Sequence, residues 1–491
     1  MIRVENSTLI LYYEEGAKKV PRKIDELTIR LETKSKIPLY EQIYTYIKSD
    51  IQVGKIKHGD KLPSTRALAK HLDLSRSTVE LAYEQLLAEG YVEALACKGF
   101  FVTRIDDLYQ WKQSKEITPI KKEKQKTEYV YDFTPNGVDL NSFPYRTWRK
   151  LAKDVLADDK AELFKTGDSQ GEYELRNTIC QYLYQARGVN CEPEQIIIGA
   201  GNDYLLMLLQ MLLGTKYKIA FENPTYRQAY RLFQQLSYET VTVEMDTKGM
   251  CVEELRKVQA DIAYVMPSHQ YPLGIIMSIQ RRMELLRWAS EKEGRYIIED
   301  DYDSEFRYKG KPIPALQGYD RNDKVIYIGT FSKSIAPAIR VSYLVLPKPL
   351  LKVYQEKGSF LNSTVSRVDQ QILHRFIEEG YYERHLNKMR GLYKSRHDVM
   401  INSLKPLLKK CKISGENAGV HLLLEFSSNV TETELIDRAK KMHIKVYGVS
   451  AYDVCAEKKL NPIILLGYAN MNEEEIKEGV QQLIEAWNGM I

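Results

Sequence analysis

The sequence lacks several features that would assign it to a specialised class of protein. No apolar run approaches the roughly 20 residues that span a bilayer. The short stretch "STLILYY" at residues 7–13 is followed by charged residues, which is not typical of a signal peptide. The six cysteines form no Cys-x-x-Cys pair and no Cys/His cluster with zinc spacing. We therefore expect a cytoplasmic protein with reduced thiols, no membrane segment and no metal site.

An excess of one sign of charge is also lacking, since 71 Lys and Arg residues face 66 Asp and Glu residues. The resulting net charge of +5 permits a nucleic-acid partner without requiring one. Apolar residues make up 44% of the chain and charged residues 28%, which is typical of a globular protein. With 491 residues the chain is too long for a single hydrophobic core, so we expect two or three domains.

Sequence patterns divide the chain into four regions. Residues 1–24 are an extension without clear periodicity, and residues 25–104 have a mostly helical pattern. Residues 105–127 are polar and rich in lysine, which is typical of a solvated linker. In residues 128–491, short apolar runs alternate with amphipathic helices. That alternation predicts a parallel sheet covered by helices on both faces.

Residues 25–104 predict a helix-turn-helix followed by a β-hairpin. The first helix carries one apolar stripe, made of Leu39, Ile43, Ile47 and Ile51. Ser64 is the expected N-cap of the second helix, and Ser75 or Ser77 that of the third. The third helix ends at Gly90, and its apolar face consists of Val79, Ala82, Tyr83 and Leu86.

The start of the third helix has the composition of a DNA-reading helix. Arg76, Ser77 and Thr78 stand there, and the first residues of a recognition helix reach bases and phosphates in the major groove. Residues 91–102 predict a hairpin wing with Lys98 and Gly99 near its tip. A three-helix bundle without DNA-binding function is compatible with the same spacing, so the pattern alone leaves both interpretations open.

Two stretches, "GDKLPSTRALA" and "SRSTVELAYEQL", make this region similar to the winged-helix domain of GntR-type bacterial regulators. The resemblance implies contacts to double-stranded DNA for six residues: Arg66, Arg76, Ser77, Thr78, Lys98 and Gly99. The wing departs from the family, because Phe100 and Phe101 stand where a small or polar residue is common.

In the larger region, polar residues follow two predicted strands. Lys333 comes after "KVIYIG", and Asp300 and Tyr302 come at the end of "RYIIEDDY". Parallel strands bring their carboxyl ends to one sheet edge, where open α/β sheets bind ligands. Arg340 adds a second cation shortly after Lys333, which indicates an anion between the two. We therefore expect these side chains to line one cleft.

Pyridoxal phosphate needs this set of groups. A lysine amine forms a Schiff base with its aldehyde, and a carboxylate keeps its pyridine nitrogen protonated. A phenol donates to the ring oxygen, and an arginine binds the phosphate with its planar fork. Lys333, Asp300, Tyr302 and Arg340 match these roles, and Thr330 offers a further hydroxyl.

Three further elements are candidate cofactor contacts. The turn before the helix that contains "NDYLLMLLQMLL" offers backbone amides to a phosphate at Gly201, Asn202 and Asp203. Tyr226 either stacks on the pyridine ring or is an ordinary half-buried tyrosine. His269 is either a hydrogen-bond partner of the cofactor or a loop histidine.

Five stretches in order carry a wider resemblance: "DFTPNGVDLNSFP", "GDSQGEYELRNTICQYLYQARGV", "PSHQYPLG", "EDDYDSEFRY" and "GTFSKSIAPAIRVSYLVLP". Over about residues 25–491 the chain resembles the MocR subgroup of GntR regulators. That subgroup joins a winged helix to a fold-type I aminotransferase-like α/β domain with a small C-terminal subdomain. The resemblance implies pyridoxal phosphate, with these assignments: Lys333 to the Schiff base, Asp300 to the pyridine nitrogen, Tyr302 to the ring oxygen, Tyr226 to stacking and Arg340 to the phosphate.

The sequence departs from this family at two places. Asn202, Asp203 and Tyr204 replace a common Ser or Thr followed by two glutamines. The last predicted strand, "NPIILLGYANM", lacks the arginine with which transaminases usually bind the substrate carboxylate. This absence favours a sensor over an efficient transaminase.

Three functional hypotheses remain open from the sequence. The first is a transcription regulator that senses the cofactor, an amine or an amino acid. The second is an active aminotransferase with a DNA-binding head, and the third is a DNA-binding protein whose large domain has lost the cofactor. The complete set of Lys333, Asp300, Tyr302 and Arg340 argues against the third. The resemblance further implies a homodimer that reads a two-part or repeated DNA site.

Overall fold

The computed structural model describes residues 27–104 and 129–490, apart from residues 28, 33–34, 158–160, 309, 311, 417, 427–429 and 456–460. The predicted extension 1–24 and the predicted linker 105–127 lie outside the described residues. The chain divides into two compact units, Met1–Lys124 and Gln125–Ile491. The finer domain boundaries remain predictions. Within the described residues, no helix is both long and apolar enough to cross a membrane.

The first unit contains three helices and a hairpin: α1 (Leu39–Gln52), α2 (Thr65–Leu72), α3 (Arg76–Ala88), β1 (Val92–Leu95) and β2 (Gly99–Val102). The predicted apolar face of α3 is its buried face, and Ile43, Ile47 and Ile51 of α1 pack in the same core. Ser64 caps α2 and Ser75 caps α3 through their side-chain oxygens. The expected helix-turn-helix and wing are therefore present.

The second unit is built from alternating helices and strands. Its described helices are α4 (Tyr145–Ala157), α5 (Tyr173–Arg187), α6 (Asn202–Leu213), α7 (Arg227–Gln235), α8 (Val252–Lys257), α9 (Ile279–Ser290), α10 (Lys348–Lys357), α11 (Arg367–Glu378), α12 (Tyr381–Leu404), α13 (Glu432–Lys441) and α14 (Glu473–Trp487). Its described strands are β3 (Tyr131–Asp132), β4 (Ile196–Gly199), β5 (Lys218–Glu222), β6 (Glu239–Val243), β7 (Met245–Asp246), β8 (Gly249–Met250), β9 (Ile262–Val265), β10 (Tyr296–Asp301), β11 (Val325–Thr330), β12 (Ser342–Val345), β13 (Cys411–Ser414), β14 (His421–Phe426), β15 (Ile444–Lys445), β16 (Tyr447–Gly448) and β17 (Ile463–Gly467).

Seven strands form the main sheet in the order β4-β12-β11-β10-β9-β5-β6. The five strands predicted from the sequence are β4, β5, β9, β10 and β11, and they all run in the same direction. The sheet is nevertheless mixed, because β12 is antiparallel to both of its neighbours. Buried clusters cover both faces, as expected for strands that are apolar along their whole length.

A smaller sheet of four antiparallel strands, in the order β13-β14-β17-β16, forms the C-terminal subdomain. The helices α13 and α14 contribute Leu435, Leu483 and Trp487 to its buried core. The start of the second unit also belongs to this core, since β3 pairs with β15 and Phe133 is fully buried in it. The segment that follows β3 therefore leads directly from the small subdomain toward the edge of the main sheet.

Candidate functional site

The carboxyl edge of the main sheet contains a cavity of about 180 Å³. The register of β10 and β11 places Asp300 beside Ile328 and Asp301 beside Gly329. The side chains after both strands therefore emerge together. The cavity is lined by Asn136, Asn202, Asp203, Tyr226, Gln228, Met266, Tyr271, Asp300, Tyr302, Thr330, Ser332, Lys333 and Arg340.

Lys333 is the amine of this cavity. Its Nζ donates to the Asn136 side-chain oxygen at 3.2 Å. Burial lowers the pKa of Lys333 to about 8, an effect that the negative charge of Asp303 opposes. A lysine with this pKa is partly neutral near pH 7, and a neutral amine is the form that attacks carbonyl groups.

Asp300 is the buried acid. Its carboxylate accepts a hydrogen bond from the Tyr264 hydroxyl and a longer one, at 3.4 Å, from the Asn202 amide. Burial raises the pKa of Asp300 to about 7, although the Tyr264 hydrogen bond favours the ionised form. No cation contact is recorded for this carboxylate within the described residues. A protonated heterocyclic nitrogen would supply one.

Tyr302 lines the cavity, whereas His269 does not. His269 lies behind Tyr302, with 3.0 Å between its Nδ1 and the Tyr302 hydroxyl oxygen. The same Nδ1 is 2.9 Å from a carboxylate oxygen of Asp303, so this buried aspartate orients the ring. His269 therefore reaches the cavity only through Tyr302, and its direct contact with a cofactor remains a prediction.

Arg340 and the turn before α6 form another part of the cavity wall. The Arg340 guanidinium lies 3.4 Å from the Asp203 carboxylate and 3.5 Å from the Ala200 carbonyl oxygen. Gly201 adopts a left-handed φ of +92°, and a Cβ atom there would lie 2.2 Å from Arg340 Nη2. The backbone conformation therefore favours glycine at this position, and any larger residue would also displace the end of the Arg340 side chain.

Asn202, Tyr226 and Thr330 complete the predicted set in the cavity. The side-chain oxygen of Asn202 is buried without a recorded hydrogen-bond partner. The Tyr226 hydroxyl donates to Gln228, and burial raises the pKa of Tyr226 to about 12. The Thr330 hydroxyl accepts from Ser342 at 2.9 Å, next to the backbone amide of Ser332.

Two site residues, Asn136 and Tyr264, were missed by the sequence analysis. Asn136 contacts Lys333 from a segment 197 residues earlier in the chain, and it also donates to the Tyr271 hydroxyl at 3.4 Å. Tyr264 sits inside the apolar strand β9, so its sequence context indicates only a core residue. A pattern of strand ends identifies neither residue.

The cavity fits pyridoxal phosphate by its own chemistry. It brings together an amine with a lowered pKa, a buried carboxyl and an arginine beside a glycine turn. The unpartnered oxygen of Asn202 indicates that an additional donor completes the site. Asp203 carries the wrong charge for a phosphate, and it contacts Arg340.

The DNA-contact candidates lie on the first unit. Arg66, Arg76, Ser77 and Lys98 are exposed, while Thr78 and Gly99 are partly buried. Ser75 caps α3 and its hydroxyl oxygen also contacts those of Ser77 and Thr78, at 2.9 and 2.7 Å. Arg76 does not extend freely, because its Nε donates to Glu80 at 2.7 Å, one helical turn further along.

The hydrophobic residues of the wing have a structural explanation. Phe100 packs edge-on against Tyr83 of α3, with 4.9 Å between the ring centroids. The Lys61 ammonium lies 5.8 Å from the centre of the Phe101 ring. A phenylalanine at position 100, where a small or polar residue is expected, therefore packs the hairpin against α3.

Comparison with known proteins agrees with this geometry. Residues 39–102 match the family "Bacterial regulatory proteins, gntR family", and residues 134–483 match "Aminotransferase class I and II". The HTH-type transcriptional regulator YdeL of Bacillus subtilis (strain 168) is 42% identical over 92% of this chain and 97% of its own. The probable rhizopine catabolism regulatory protein MocR of Rhizobium meliloti is 30% identical over 93% of this chain and 95% of its own. The chain belongs to the MocR subgroup of GntR-type transcription regulators.

The second unit of this MocR-type regulator also resembles solved aminotransferases. The kynurenine aminotransferase of Pyrococcus horikoshii is 25% identical, with a TM-score of 0.66, and the match covers 75% of this chain and 92% of that one. The fold is therefore the fold-type I aminotransferase fold that the sequence predicts. Within this fold, strand β17 of the MocR-type chain carries no arginine.

Proposed function

We propose that this transcription regulator uses its second unit as a sensor of the cofactor, which would bind at Lys333, or of an amine or amino acid that would react with the bound cofactor. The observation that carries the proposal is the convergence of Lys333, Asp300, Tyr302 and Arg340 in one cavity, in a chain that also carries a GntR-type DNA-binding domain. When a ligand and DNA prefer particular conformations of such a chain, each changes the affinity of the chain for the other. The coupling free energy is the same in both directions.

Pyridoxal phosphate is the cofactor, since the second unit belongs to the aminotransferase class I and II family. The structure of the Pyrococcus horikoshii relative was determined in complex with PMP. When bound, the cofactor supplies an aldehyde that reacts with amines and a ring that withdraws electrons. In our proposal the Lys333 amine is placed at the aldehyde, and the Asp300 carboxylate holds a proton on the pyridine nitrogen.

The remaining residues bind and orient. We assign the ring oxygen to the Tyr302 hydroxyl and one ring face to Tyr226. We assign the binding of the phosphate to Arg340 and to the backbone amides of Gly201 and Asn202, with the Thr330 hydroxyl as a further contact. Because Asp203 contacts Arg340, we infer that Arg340 exchanges this carboxylate for the phosphate.

The proposal extends to the assembly and the cell compartment. We propose a cytoplasmic homodimer that binds a two-part or repeated operator, since paired heads match paired half-sites. The mass of the full chain in solution, measured by light scattering with and without an operator duplex, tests this part. A monomer under both conditions contradicts it.

An absorption titration of the purified full chain tests the sensor proposal. We expect pyridoxal phosphate to give a visible absorption band, and borohydride to remove the band and fix the cofactor on the tryptic peptide 325–340 at Lys333. Lys333→Ala should lose both the band and the adduct. The proposal also requires that added ligand changes the affinity for operator DNA in the native chain and not in Lys333→Ala. A colourless chain, or a coloured chain with unchanged DNA affinity, contradicts it.

An active aminotransferase with a DNA-binding head is the second candidate, favoured by the complete amine, acid and phenol set of the cavity. The two candidates differ in turnover. With an amino donor and a keto acid in excess, a transaminase converts many equivalents per chain, whereas a sensor stops near one. Absence of an arginine from β17 leads us to expect the second result.

A further inference from the structure

Two cysteine side chains meet outside the cofactor cavity. Cys180 lies in α5, and Cys191 lies in the segment between α5 and β4. Their sulfur atoms are 3.9 Å apart, and the Cys180 thiol also lies 3.1 Å from the Cys191 carbonyl oxygen. Both are free thiols and both are partly buried.

The surrounding hydrogen bonds hold this segment in place. Arg176 of α5 donates to the Pro193 carbonyl oxygen at 2.9 Å. Asn190 exchanges two hydrogen bonds of 2.8 Å with the side chain of Gln317. The two sulfur atoms therefore face each other between elements that are held by hydrogen bonds, and a disulfide requires their separation to shorten from 3.9 Å to about 2.05 Å.

We propose that Cys180 and Cys191 are a redox modification site, at which a hydroperoxide converts the two thiols into a reversible disulfide. The proposal depends on the geometry of the second unit alone and not on cofactor binding. The link would fix α5 to the segment that leads into β4, the strand that ends beside the Gly201 turn.

The chemistry balances with hydrogen peroxide as the oxidant. The sulfur of Cys180 attacks one peroxide oxygen, the O–O bond breaks, and the released hydroxide takes a proton to form water. The sulfur of Cys191 then attacks the resulting sulfenic acid, the S–S bond forms, and the S–O bond breaks with release of a second water. Two thiols lose two electrons in total, and one peroxide is reduced.

The environment assigns different roles to the two sulfurs. The hydrogen bond from Cys191 lowers the pKa of Cys180, against the effect of burial. The same contact and burial raise the pKa of Cys191. Cys180 is therefore the nucleophile that meets the peroxide, and Cys191 is the thiol that resolves the sulfenic acid. Glu192 and Glu194 oppose thiolate formation, so we expect a response to sustained oxidant rather than to a trace.

Peptide mapping of the full chain after peroxide treatment tests the proposal. Trypsin cleaves after Arg176, Arg187 and Lys216, so a disulfide joins peptide 177–187 to peptide 188–216. We expect this linked pair without reductant, its separation by dithiothreitol, and a loss of about 2 Da in the intact mass. Cys251→Ser, which removes another partly buried thiol, should leave the link unchanged.

Two variants separate the steps. Cys191→Ser should accumulate a sulfenic acid on Cys180 that dimedone labels, and Cys180→Ser should give less label on Cys191. The exposed Cys97 is the internal reference for oxidant delivery. The proposal is overturned if Cys97 is oxidised while peptides 177–187 and 188–216 stay separate, or if Cys180 and Cys191 link to other cysteines or between chains.

Discussion

Asp203 and Arg340 form an ion pair on the wall of the Lys333 cavity, with 3.4 Å between the carboxylate oxygen and Nη2. The arginine is the proposed phosphate ligand, so the aspartate competes with the phosphate for the same guanidinium. Both side chains are about half exposed, which makes the pair weak and exchangeable. Asp203 is therefore expected to weaken cofactor binding.

We therefore expect Asp203→Asn to bind pyridoxal phosphate more tightly than the native chain. An exposed pair of this kind contributes about 0.2–1 kcal/mol, which corresponds to a gain of roughly 1.4- to fivefold. An equilibrium absorption titration measures it. Asp203→Glu keeps the charge and should show little gain. An unchanged or weakened affinity in Asp203→Asn would mean that Asp203 supports the phosphate site instead of opposing it.

The lowered pKa of Lys333 predicts the pH dependence of its reactivity. With a pKa of about 8, roughly a tenth of the amine is neutral at pH 7, against less than a thousandth for an ordinary lysine. The initial rate of borohydride-trapped labelling by pyridoxal phosphate should rise with pH and reach half its maximum near pH 8. Lys333→Arg keeps a cation but cannot condense with an aldehyde, so it provides the background. A rate that still rises steeply above pH 9.5 contradicts the lowered pKa.

Tyr264 is predicted to act on the cofactor through Asp300. Its hydroxyl donates to the Asp300 carboxylate and favours the ionised form. Tyr264→Phe removes that donor, so the pKa of Asp300 rises further above its usual range. A larger fraction of Asp300 is then protonated at pH 7 and cannot hold a pyridinium proton. We expect roughly tenfold weaker cofactor binding at pH 7, with a smaller difference at pH 9.

Tyr238→Phe is the matched control for this experiment. Tyr238 is buried in the same hydrophobic cluster as Tyr264, and its hydroxyl has no recorded hydrogen-bond partner. The affinity of Tyr238→Phe for the cofactor should equal that of the native chain at both pH 7 and pH 9. If Tyr264→Phe behaves in the same way as Tyr238→Phe, the hydroxyl of Tyr264 has no role in holding Asp300 ionised.

The sequence predicts those site residues that stand at the ends of parallel strands. Lys333, Asp300 and Tyr302 meet because β10 and β11 are adjacent and parallel, and such a pattern is readable from apolar runs that end in polar residues. The buried face of α3 is predicted for a similar reason, since its helical period determines it. Local periodicity therefore accounts for most of the fold.

The rest depends on contacts between distant parts of the chain. Asn136 reaches Lys333 only because β3 pairs with β15 of the small subdomain, and no local pattern encodes that pairing. The antiparallel β12 is apolar like its parallel neighbours, so its direction is not visible in its residues. His269 is a polar residue at a strand end, yet the ring lies behind Tyr302 because Asp303 holds it there.

Glu80 restrains the arginine that is predicted to read DNA. Arg76 Nε donates to Glu80 at 2.7 Å, and both side chains are exposed. Arg76→Ala should weaken operator binding by roughly 10- to 100-fold, relax the preference at one base pair, and reduce the salt dependence by about one phosphate equivalent. Glu80→Gln should have the opposite effect, because it frees the guanidinium and removes a negative charge near the phosphates.

Glu84→Gln separates the two effects of Glu80, which are the restraint of Arg76 and the negative charge near the DNA phosphates. Glu84 is also an exposed glutamate of α3, so its replacement removes one negative charge without releasing Arg76. Affinity measured by fluorescence anisotropy at several salt concentrations should rise more in Glu80→Gln than in Glu84→Gln. In the Arg76→Ala background the two glutamine variants should become equal, since no guanidinium remains to be released. If they stay different there, Glu80 acts on DNA binding by a route that does not involve Arg76.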